Sequence, residues 1–312
     1  MRIRQYSSIL DELGYCPISS TAEDILYSVA KKSIEQLGES ASKALLDHIC
    51  SIDGLSEKEL LTNYDLFEKA LYRVLKKGAE VILDYLKREL LIQAVLIDTS
   101  ITISEIRNPR LAIRQIVQRI RAAETLEFVR KIPSCKHITF LYRSDYSKDK
   151  LFAAFFDANV IANVSNGLLS FKRPTNDGFR NVNNFMLYEE LLHEPRESEV
   201  VARRLADWIA KLDSSNESQQ QNNTGIATVR IAVEDVVWWV RNGFTGYYLD
   251  FEKSMGRYLQ GGLSVLCGYN FSNVSNEIID SKNIKTMIAA HDYVILDESL
   301  AVYRSPNVGD KI

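Results

Sequence analysis

The first hundred residues carry apolar side chains at the three- and four-residue spacings that are typical of amphipathic helices. The clearest run lies between Tyr64 and Leu91 and is interrupted at Gly78. Because glycine is favoured at helix ends, the run predicts two short helices on either side of this residue. The apolar positions of the run are Phe67, Leu71, Val74, Leu75, Ile82, Leu86 and Leu90.

Two short polar motifs mark helix starts in the same region. The segments Ser20–Glu23 and Ser56–Glu59 both fit the S-x-x-E capping box. In this motif the serine and the glutamate bind backbone N–H groups that have no partner within the first helical turn. Helices are therefore predicted to begin near Thr21 and Glu57.

A long helix is predicted from Pro109 to about Arg130. Asn108 can cap its free N–H groups, and proline at the first helical position loses no hydrogen bond. One face of this helix is apolar and must pack against something, so it predicts either a homodimer or packing on the chain's own domains. We expect the homodimer. The apolar face consists of Ile113, Ile116, Val117, Ile120 and Ala123.

The opposite face of the same helix carries Arg110, Arg114 and Arg121. These arginines indicate either a strip that binds phosphate groups or a partner, or a solvated face. Three arginines are few beside the roughly 6 to 10 phosphate contacts of typical DNA-binding proteins. The solvated face is the favoured interpretation.

Beyond Pro133 the pattern changes to short apolar runs that alternate with helical segments. Such alternation predicts a parallel sheet covered by helices on both faces. Strands are predicted at His137–Tyr142, Ala227–Ala232 and Leu263–Cys267. Helices are predicted at Asp149–Val164, Val236–Gln260 and Val274–Ala290.

The predicted fold is therefore an α+β chain of two domains. An all-α domain occupies residues 1–100, a connecting helix lies within 101–132, and an α/β domain with a parallel sheet occupies 133–312. The length of 312 residues agrees with two domains rather than one.

Composition and charge limit the function. The chain is 46% hydrophobic and 25% charged, which is ordinary for a globular protein. A net charge of −3 argues against a globally basic nucleic-acid binder. Residues 1–100 hold 12 basic against 16 acidic side chains, so the predicted helical domain is acidic by itself.

The four cysteines are far apart and form no CxxC or Cys–His cluster. Their spacing predicts no metal site and no disulfide framework, and favours a reducing compartment. The sequence has no apolar stretch of about 18 residues and no signal-peptide pattern at its start, so we expect a cytoplasmic protein that does not associate with a membrane. No cofactor is predicted.

The signatures of common enzyme classes are missing. Phosphate-binding loops of the G-x-x-x-x-G-K-[ST] type follow a strand and use glycine N–H groups with a lysine. The loop after the first predicted strand, Arg143–Lys148, contains no glycine and carries Asp145. The chain also lacks GxGxxG, GxSxG and HExxH. We therefore expect no enzymatic activity and assign no catalytic residue.

Candidate ligand-binding residues lie near the carboxyl ends of the predicted strands, where open parallel sheets bind ligands. Tyr142 ends the first strand, Glu234 and Trp238 follow the second, and Cys267 and Tyr269 close the third. Each residue also has a structural interpretation. Tryptophan and cysteine are common in cores, and Glu234 is placed to cap the next helix.

Two histidines lie at other positions. His137 opens its strand at the opposite end, and His291 precedes the apolar run Tyr293–Leu296. The sequence alone favours a structural role for His291, and no two candidate residues form a recognisable catalytic pair by their spacing.

Five short segments of the second half of the chain occur in the order and approximate spacing of a known family. They are Lys136–Tyr142, Val229–Trp239, Tyr248–Glu252, Leu266–Asn270 and Ala290–Leu296. Over residues 134–305 the chain thereby resembles the MEDS domain, the methanogen/methylotroph sensory domain. The resemblance implies a degenerate RecA/KaiC-type α/β fold without a working phosphate loop, and a role in sensing small molecules in prokaryotic signalling proteins.

The resemblance also implies a set of site residues. Asn270 departs from the family pattern, which usually has aspartate there, and the usual Gly-Glu pair is not evident around 166–169. These departures leave the ligand open. The positions that match the family motifs are His137, Glu234, Glu252, Cys267, Tyr269 and His291.

A second, shorter resemblance concerns the N-terminal half. The segment Tyr64–Leu90, within residues 20–95, resembles small helical output domains of archaeal signalling proteins. Together the two resemblances imply an output module, a connecting helix and a sensor.

The leading hypothesis is a non-enzymatic signalling protein whose α/β domain senses a small molecule or a partner protein. One alternative is a nucleotide-binding enzyme without a standard phosphate loop, which the glycine-free loop disfavours. The other is a DNA-binding transcriptional regulator that uses the helical domain, which the acidic charge of residues 1–100 disfavours.

Overall fold

The chain divides into two compact units in a computed structural model. One unit consists of Ser19–Thr125, and the other of Met1–Ile18 together with Leu126–Ile312. The structure describes residues 3–18, 21–97, 109–133, 136–157, 165–170, 183–186, 207–212, 229–234, 246, 263–270, 281–297 and 301–308.

The first half of the chain is helical, as predicted. A 3-10 turn at Lys76–Gly78 separates two helices at the position where the glycine predicts a break. The helices are α1 (Ile3–Glu12), α2 (Thr21–Glu35), α3 (Glu39–Asp53), α4 (Glu57–Thr62), α5 (Tyr64–Leu75), α6 (Ala79–Ile97) and α7 (Pro109–Arg130).

The local signals place three helix starts correctly. Helices α2, α4 and α7 begin at Thr21, Glu57 and Pro109. The capping box at α4 is complete, since the Ser56 N–H donates to the Glu59 carboxylate at 2.8 Å and the Glu59 N–H donates to the Ser56 hydroxyl at 3.2 Å. Ser20, which begins the other predicted box, lies outside the described residues.

The helical unit has one continuous apolar core. The predicted positions Phe67, Leu71, Ile82, Leu86 and Leu90 are all buried in it. Amphipathic helices that meet on their apolar faces remove those side chains from water, and this burial holds the unit together.

The apolar face of α7 belongs to the same core. Ile116, Val117 and Ile120 are buried there against other helices of the unit, and the side chain of Ile113 lies outside the described residues. Three of the five side chains that predict a homodimer are therefore covered within the chain. These three need no second copy to cover them, and the homodimer stays a prediction.

The arginines of α7 give no basic strip in the described part of the helix. The guanidinium of Arg121 forms an ion pair with Glu23 at 3.3 Å. The side chains of Arg110 and Arg114 lie outside the described residues.

The second unit is a mixed α/β structure, and its described residues form an eight-stranded sheet with the order β1-β8-β7-β2-β6-β5-β3-β4. Strands β7 through β4 run parallel, and β8 and β1 add two antiparallel partners at one edge. The strands are β1 (Cys16–Pro17), β2 (His137–Tyr142), β3 (Ser165–Ser170), β4 (Asn183–Met186), β5 (Val229–Val233), β6 (Leu263–Asn270), β7 (Tyr293–Leu296) and β8 (Ala301–Arg304).

The mostly parallel sheet confirms the α/β prediction for the second half of the chain. β2 has the predicted bounds, whereas β6 extends past Cys267 to Asn270. Two helices of this unit are α8 (Asp145–Phe156) and α9 (Ser281–Ala289). α8 begins and ends earlier than the predicted helix Asp149–Val164. α9 ends one residue before the predicted Ala290, and residues 274–280 of that prediction lie outside the described residues. Apart from Gly246, the predicted helix Val236–Gln260 lies outside the described residues.

The domain boundaries differ from the predicted ones in two places. The segment 1–18 belongs to the α/β unit, because β1 pairs with β8 at the sheet edge. The division also falls within α7, after Thr125, rather than on either side of it. Pairing between segments almost 300 residues apart leaves no trace in local sequence, which is why the sequence assigned residues 1–18 to the helical domain.

The register divides the parallel strands into two faces. Residues directly opposite each other in adjacent strands point to the same face, and neighbours along a strand alternate. Ile138, Phe140 and Tyr142 pack with α8 in an apolar core. His137 and Thr139 therefore point to the opposite face, together with Cys267, which is paired with Thr139. We name these the α8 face and the α9 face.

A buried arginine joins the sheet to two helix ends on the α8 face. The Arg230 guanidinium donates to the carbonyl of Phe155 at 2.7 Å and to that of Arg130 at 2.9 Å. Both carbonyls lie at helix C-termini, where the helix dipole favours a positive charge. Burial lowers the pKa of Arg230 from its usual value, and among the described residues its Nε has no hydrogen-bond partner.

We expect Arg230→Met to destabilise the α/β unit by about 2–4 kcal/mol, because it leaves two buried carbonyls without their donors. Arg230→Lys should lose less stability, because the lysine ammonium retains the positive charge. All three tryptophans lie in the α/β unit, so urea denaturation followed by tryptophan fluorescence reports its unfolding. The exposed Arg143→Met variant is the control and should stay within about 0.5 kcal/mol of wild type.

We also expect Gly167→Ala to destabilise this unit, by about 1–3 kcal/mol. A Cβ atom at Gly167 would lie 2.7 Å from Cη2 of Trp208 and 2.9 Å from Cδ1 of Leu212, both in the helical segment 207–212. The same urea experiment measures the loss. The matched control is Gly246→Ala in the same unit, because nothing lies within 4 Å of a Cβ atom added there. An unchanged α/β transition in Gly167→Ala would show that this packing is wrong.

Candidate functional site

Three potential metal or ligand donors meet on the α9 face of the sheet. His137 begins β2, Cys267 lies in the middle of β6, and His291 follows α9 at the entrance to β7. All three are buried, with 2%, 0% and 2% of their surface exposed. Their donor atoms all lie within 4.8 Å of one another. The fold thus forms a His–Cys–His cluster from residues that are remote in sequence.

The side chains of this cluster contact each other directly. The His137 and His291 rings stack with their centroids 3.9 Å apart. The Cys267 Sγ lies 3.3 Å from Nε2 of His137. The Tyr269 ring meets the His291 ring edge-on at 5.9 Å. Four of the residues that the sequence singled out are therefore neighbours in space.

Backbone carbonyls fix both imidazole rings. Nδ1 of His137 lies 3.2 Å from the carbonyl of Ala290, and Nδ1 of His291 lies 2.7 Å from that of Met287. A carbonyl oxygen only accepts hydrogen bonds, so each Nδ1 carries a proton, and in the neutral ring the lone pair lies on Nε2. Burial, with a smaller contribution from His137, holds the pKa of His291 well below its usual value.

The two histidines are held side by side by the backbone. The His137 N–H donates to the Asp292 carboxylate at 2.8 Å, and the Asp292 N–H donates to the His137 carbonyl at 2.7 Å. The Tyr15 hydroxyl also lies 2.5 Å from the His291 carbonyl and 2.7 Å from that of Ile288. Burial raises the pKa of Tyr15 to about 12, so it stays a proton donor at neutral pH.

A second polar cluster lies at the carboxyl end of the sheet. Lys148, in the second turn of α8, forms an ion pair with Glu234, which directly follows β5. Two more carboxylates are close, with Asp149 at 3.5 Å and Asp145 at 3.6 Å from the Lys148 ammonium. The ammonium is largely buried, and the Glu234 side chain is 23% exposed.

The charges of this second cluster are unbalanced. Burial acts to lower the pKa of Lys148, but the hydrogen bond to Glu234 and the charges of Glu234, Asp149 and Asp145 outweigh it and raise the pKa. Lys148 is therefore positive at neutral pH. One ammonium faces three carboxyl groups, so the cluster presents excess negative charge when these groups are ionised.

The structure divides the predicted site residues among different places. His137, Cys267, Tyr269 and His291 share the α9 face, and Glu234 lies at the carboxyl edge. Tyr142 points to the α8 face, where it stacks on Phe140. Tyr142 and Tyr269 lie on opposite faces of the sheet, because Tyr269 is paired with Leu141, the neighbour of Tyr142. That the two residues share one crevice at the carboxyl edge stays a prediction. Trp238 and Glu252 lie outside the described residues.

Several residues of these clusters were not predicted as site residues, among them Lys148, Thr139 and Tyr15. The sequence indicates Lys148 only as the last residue of a glycine-free loop, not as a site residue. Thr139 lies beside Cys267 on the α9 face, and Tyr15 belongs to a segment that was assigned to the helical domain. Only for Thr139 does the sequence hold a signal, since it is two positions from His137 and alternation places both on one face.

No protein-family model matches the chain, and no curated protein shows significant sequence similarity to it. The MEDS resemblance therefore rests on the short motifs alone. Among the helices that the structure describes, none combines the length and the apolar composition that crossing a bilayer requires.

We expect the Lys148–Glu234 pair to be coupled by about 1–3 kcal/mol, because both side chains are mostly buried. A double-mutant cycle of Lys148→Met and Glu234→Gln, measured by urea denaturation with tryptophan fluorescence, gives this energy. The matched control is the exposed pair Lys285–Glu12 in the same unit, for which we expect less than about 1 kcal/mol. Equal coupling in the two pairs would contradict the description of Lys148–Glu234 as a buried ion pair.

Proposed function

We propose that the protein is a non-enzymatic, cytoplasmic signalling protein whose α/β unit senses a small neutral or cationic molecule. The observation that carries this proposal is the acidic cluster around Lys148 at the carboxyl end of the sheet. The binding site in this proposal lies at that edge, beside Glu234.

The topology favours this edge as a binding site. β2 lies between β6 and β7, so the chain crosses the sheet in opposite directions after β2 and after β6. Such a reversal leaves a crevice outside the carboxyl ends of the two strands, where open α/β sheets bind their ligands. Lys148 follows β2, and its ion pair with Glu234 links the helix after β2 to the end of β5.

The charge of the edge sets the class of ligand. A phosphate group would need glycine N–H groups and a lysine that is available to it. The loop has no glycine, and the lysine is surrounded by Glu234, Asp149 and Asp145. Three carboxylates against one ammonium repel a phosphate and attract a cation. This disfavours a nucleotide-dependent enzyme.

The architecture agrees with the family that the motifs resemble. A parallel sheet with helices on both faces and a glycine-free loop after the first parallel strand is compatible with a degenerate RecA/KaiC-type domain of the MEDS kind. The helical unit would then serve as the output module. Helix α7 contributes Ile116 and Ile120 to the core of the helical unit and Val129 to that of the α/β unit, and in this proposal it transmits the signal.

Thermal unfolding with a panel of small molecules tests the proposal. We expect choline, putrescine or another small organic cation to raise the melting temperature of the α/β unit, whereas ATP with Mg²⁺ does not. A cation at about 100 times its dissociation constant adds about 2.7 kcal/mol, which corresponds to about 5–10 °C for a unit of this size. Glu234→Gln should remove most of that shift, because it removes a negative charge from the site.

The control variant is Glu12→Gln, which removes a carboxylate from an exposed ion pair elsewhere in the unit. It should respond to the cation like wild type. Stabilisation by ATP and Mg²⁺, or ATP hydrolysis above a protein-free blank that is lost in Lys148→Ala, would contradict the proposal. A panel in which no cation stabilises the protein would contradict it as well.

A further inference from the structure

We propose that His137, Cys267 and His291 bind one transition-metal ion of the zinc class. This site lies on the α9 face of the sheet and is separate from the carboxyl edge around Glu234. The proposal therefore stands independently of the ligand-sensing function proposed above. It rests on donor chemistry, distances, ring orientation and a buried hydroxyl group.

The donor distances suit a single ion. Zinc binds imidazole nitrogen at about 2.0–2.1 Å and thiolate sulfur at about 2.3 Å, so two such donors at a tetrahedral angle lie about 3.5 Å apart. Nε2 of His137 and Sγ of Cys267 are 3.3 Å apart. All three donors fall within 4.8 Å of one another.

Both imidazoles already have the orientation of metal ligands. A metal-binding histidine donates its second ring N–H to a carbonyl or carboxylate, which fixes the ring and leaves the other nitrogen for the ion. In this protein Nδ1 of His137 bonds Ala290 and Nδ1 of His291 bonds Met287. The lone pair on Nε2 of His137 faces the Cys267 sulfur. Asp292 and Tyr15 hold the histidine-bearing segments in place.

A buried hydroxyl group next to these residues points to a further polar occupant. Thr139 is 1% exposed, is paired with Cys267 across β2 and β6, and lies on the same face as His137. Among the described residues, none forms a hydrogen bond with its hydroxyl. A buried hydroxyl without a partner is costly. A water molecule in the fourth position of a three-ligand zinc site would supply that partner.

The donor set selects the class of metal. One thiolate and two imidazoles suit zinc and copper, whereas magnesium and calcium require oxygen ligands. Zinc is commonly tetrahedral in proteins and has no redox chemistry, which suits a buried site with three protein ligands and a water molecule. Asp292, hydrogen-bonded to the His137 N–H, places a negative charge near the site that offsets the positive charge left after one thiolate has bound a divalent ion.

Cobalt is the probe, because Co²⁺ occupies zinc sites and gives a thiolate-to-metal absorption band. The full chain is freed of metal with a chelator and titrated with Co²⁺ under reducing conditions. We expect the band to saturate at one equivalent per chain and to disappear on addition of Zn²⁺. No band, or metal binding that does not saturate at one equivalent, overturns the proposal.

Variants identify the ligands. Cys267→Ser should abolish the cobalt band, and His291→Gln should weaken zinc binding by at least about 100-fold. Matched controls in the helical unit are Cys50→Ser, at a half-buried cysteine, and His48→Gln, at an exposed histidine. Both should bind like wild type. So should Glu234→Gln, which separates this site from the carboxyl edge.

X-ray absorption on the zinc-loaded wild type keeps the proposal testable if Cys267→Ser fails to fold. We expect one sulfur and two imidazole nitrogens among the zinc ligands. Zinc without a sulfur ligand, or a cobalt band that persists in a folded Cys267→Ser or Cys267→Ala variant, shows that the ion binds elsewhere and overturns the assignment.

Discussion

The position of β2 between β6 and β7 is the constraint on which the α/β unit depends. Every residue of β2 is buried, and this strand has a strand on each side and α8 on one face. The backbone of a parallel strand in this position must form hydrogen bonds with both neighbouring strands, and its side chains must pack on both faces of the sheet. The registers on both sides then fix which residues of β6 and β7 stand next to His137 and Thr139.

The two faces of this strand carry different chemistry. The α8 face is apolar around Phe140 and holds a buried charge, Arg230, which the carbonyls at two helix C-termini accommodate. The α9 face buries imidazole, thiol and hydroxyl groups side by side. Buried polar groups need hydrogen-bond partners. At both histidines a backbone carbonyl supplies the partner of Nδ1. Because these groups are polar, the α9 face offers hydrogen-bond and metal donors in addition to apolar packing.

The carboxyl edge of the sheet has a lysine at a position typical of nucleotide-binding domains, but carboxylates surround it. A lysine follows the first parallel strand, where nucleotide-binding domains also have one. Glu234, Asp149 and Asp145 surround that lysine, so its positive charge is paired within the protein. Three carboxyl groups and one ammonium leave an excess of negative charge at this edge when the carboxyl groups are ionised. In the proposed function this local charge, rather than the fold class, sets the class of ligand.

The sequence by itself determined the features that depend on neighbours along the chain. The capping box at Ser56, the proline at the start of α7 and the bounds of β2 were predicted because each rests on contacts within a few residues. The sequence also predicted a parallel sheet from the alternation of strands and helices, and it singled out Cys267 and the two histidines one by one.

Only the tertiary structure decided which of these residues meet. His137 and Cys267 are 130 positions apart, and strand pairing brings them into contact. The same pairing places Tyr142 and Tyr269 on opposite faces, and it joins residues 1–18 to the α/β unit through β1. Strand order and register follow from burial summed over the whole sheet, so spacing along the chain could not predict the His–Cys–His cluster.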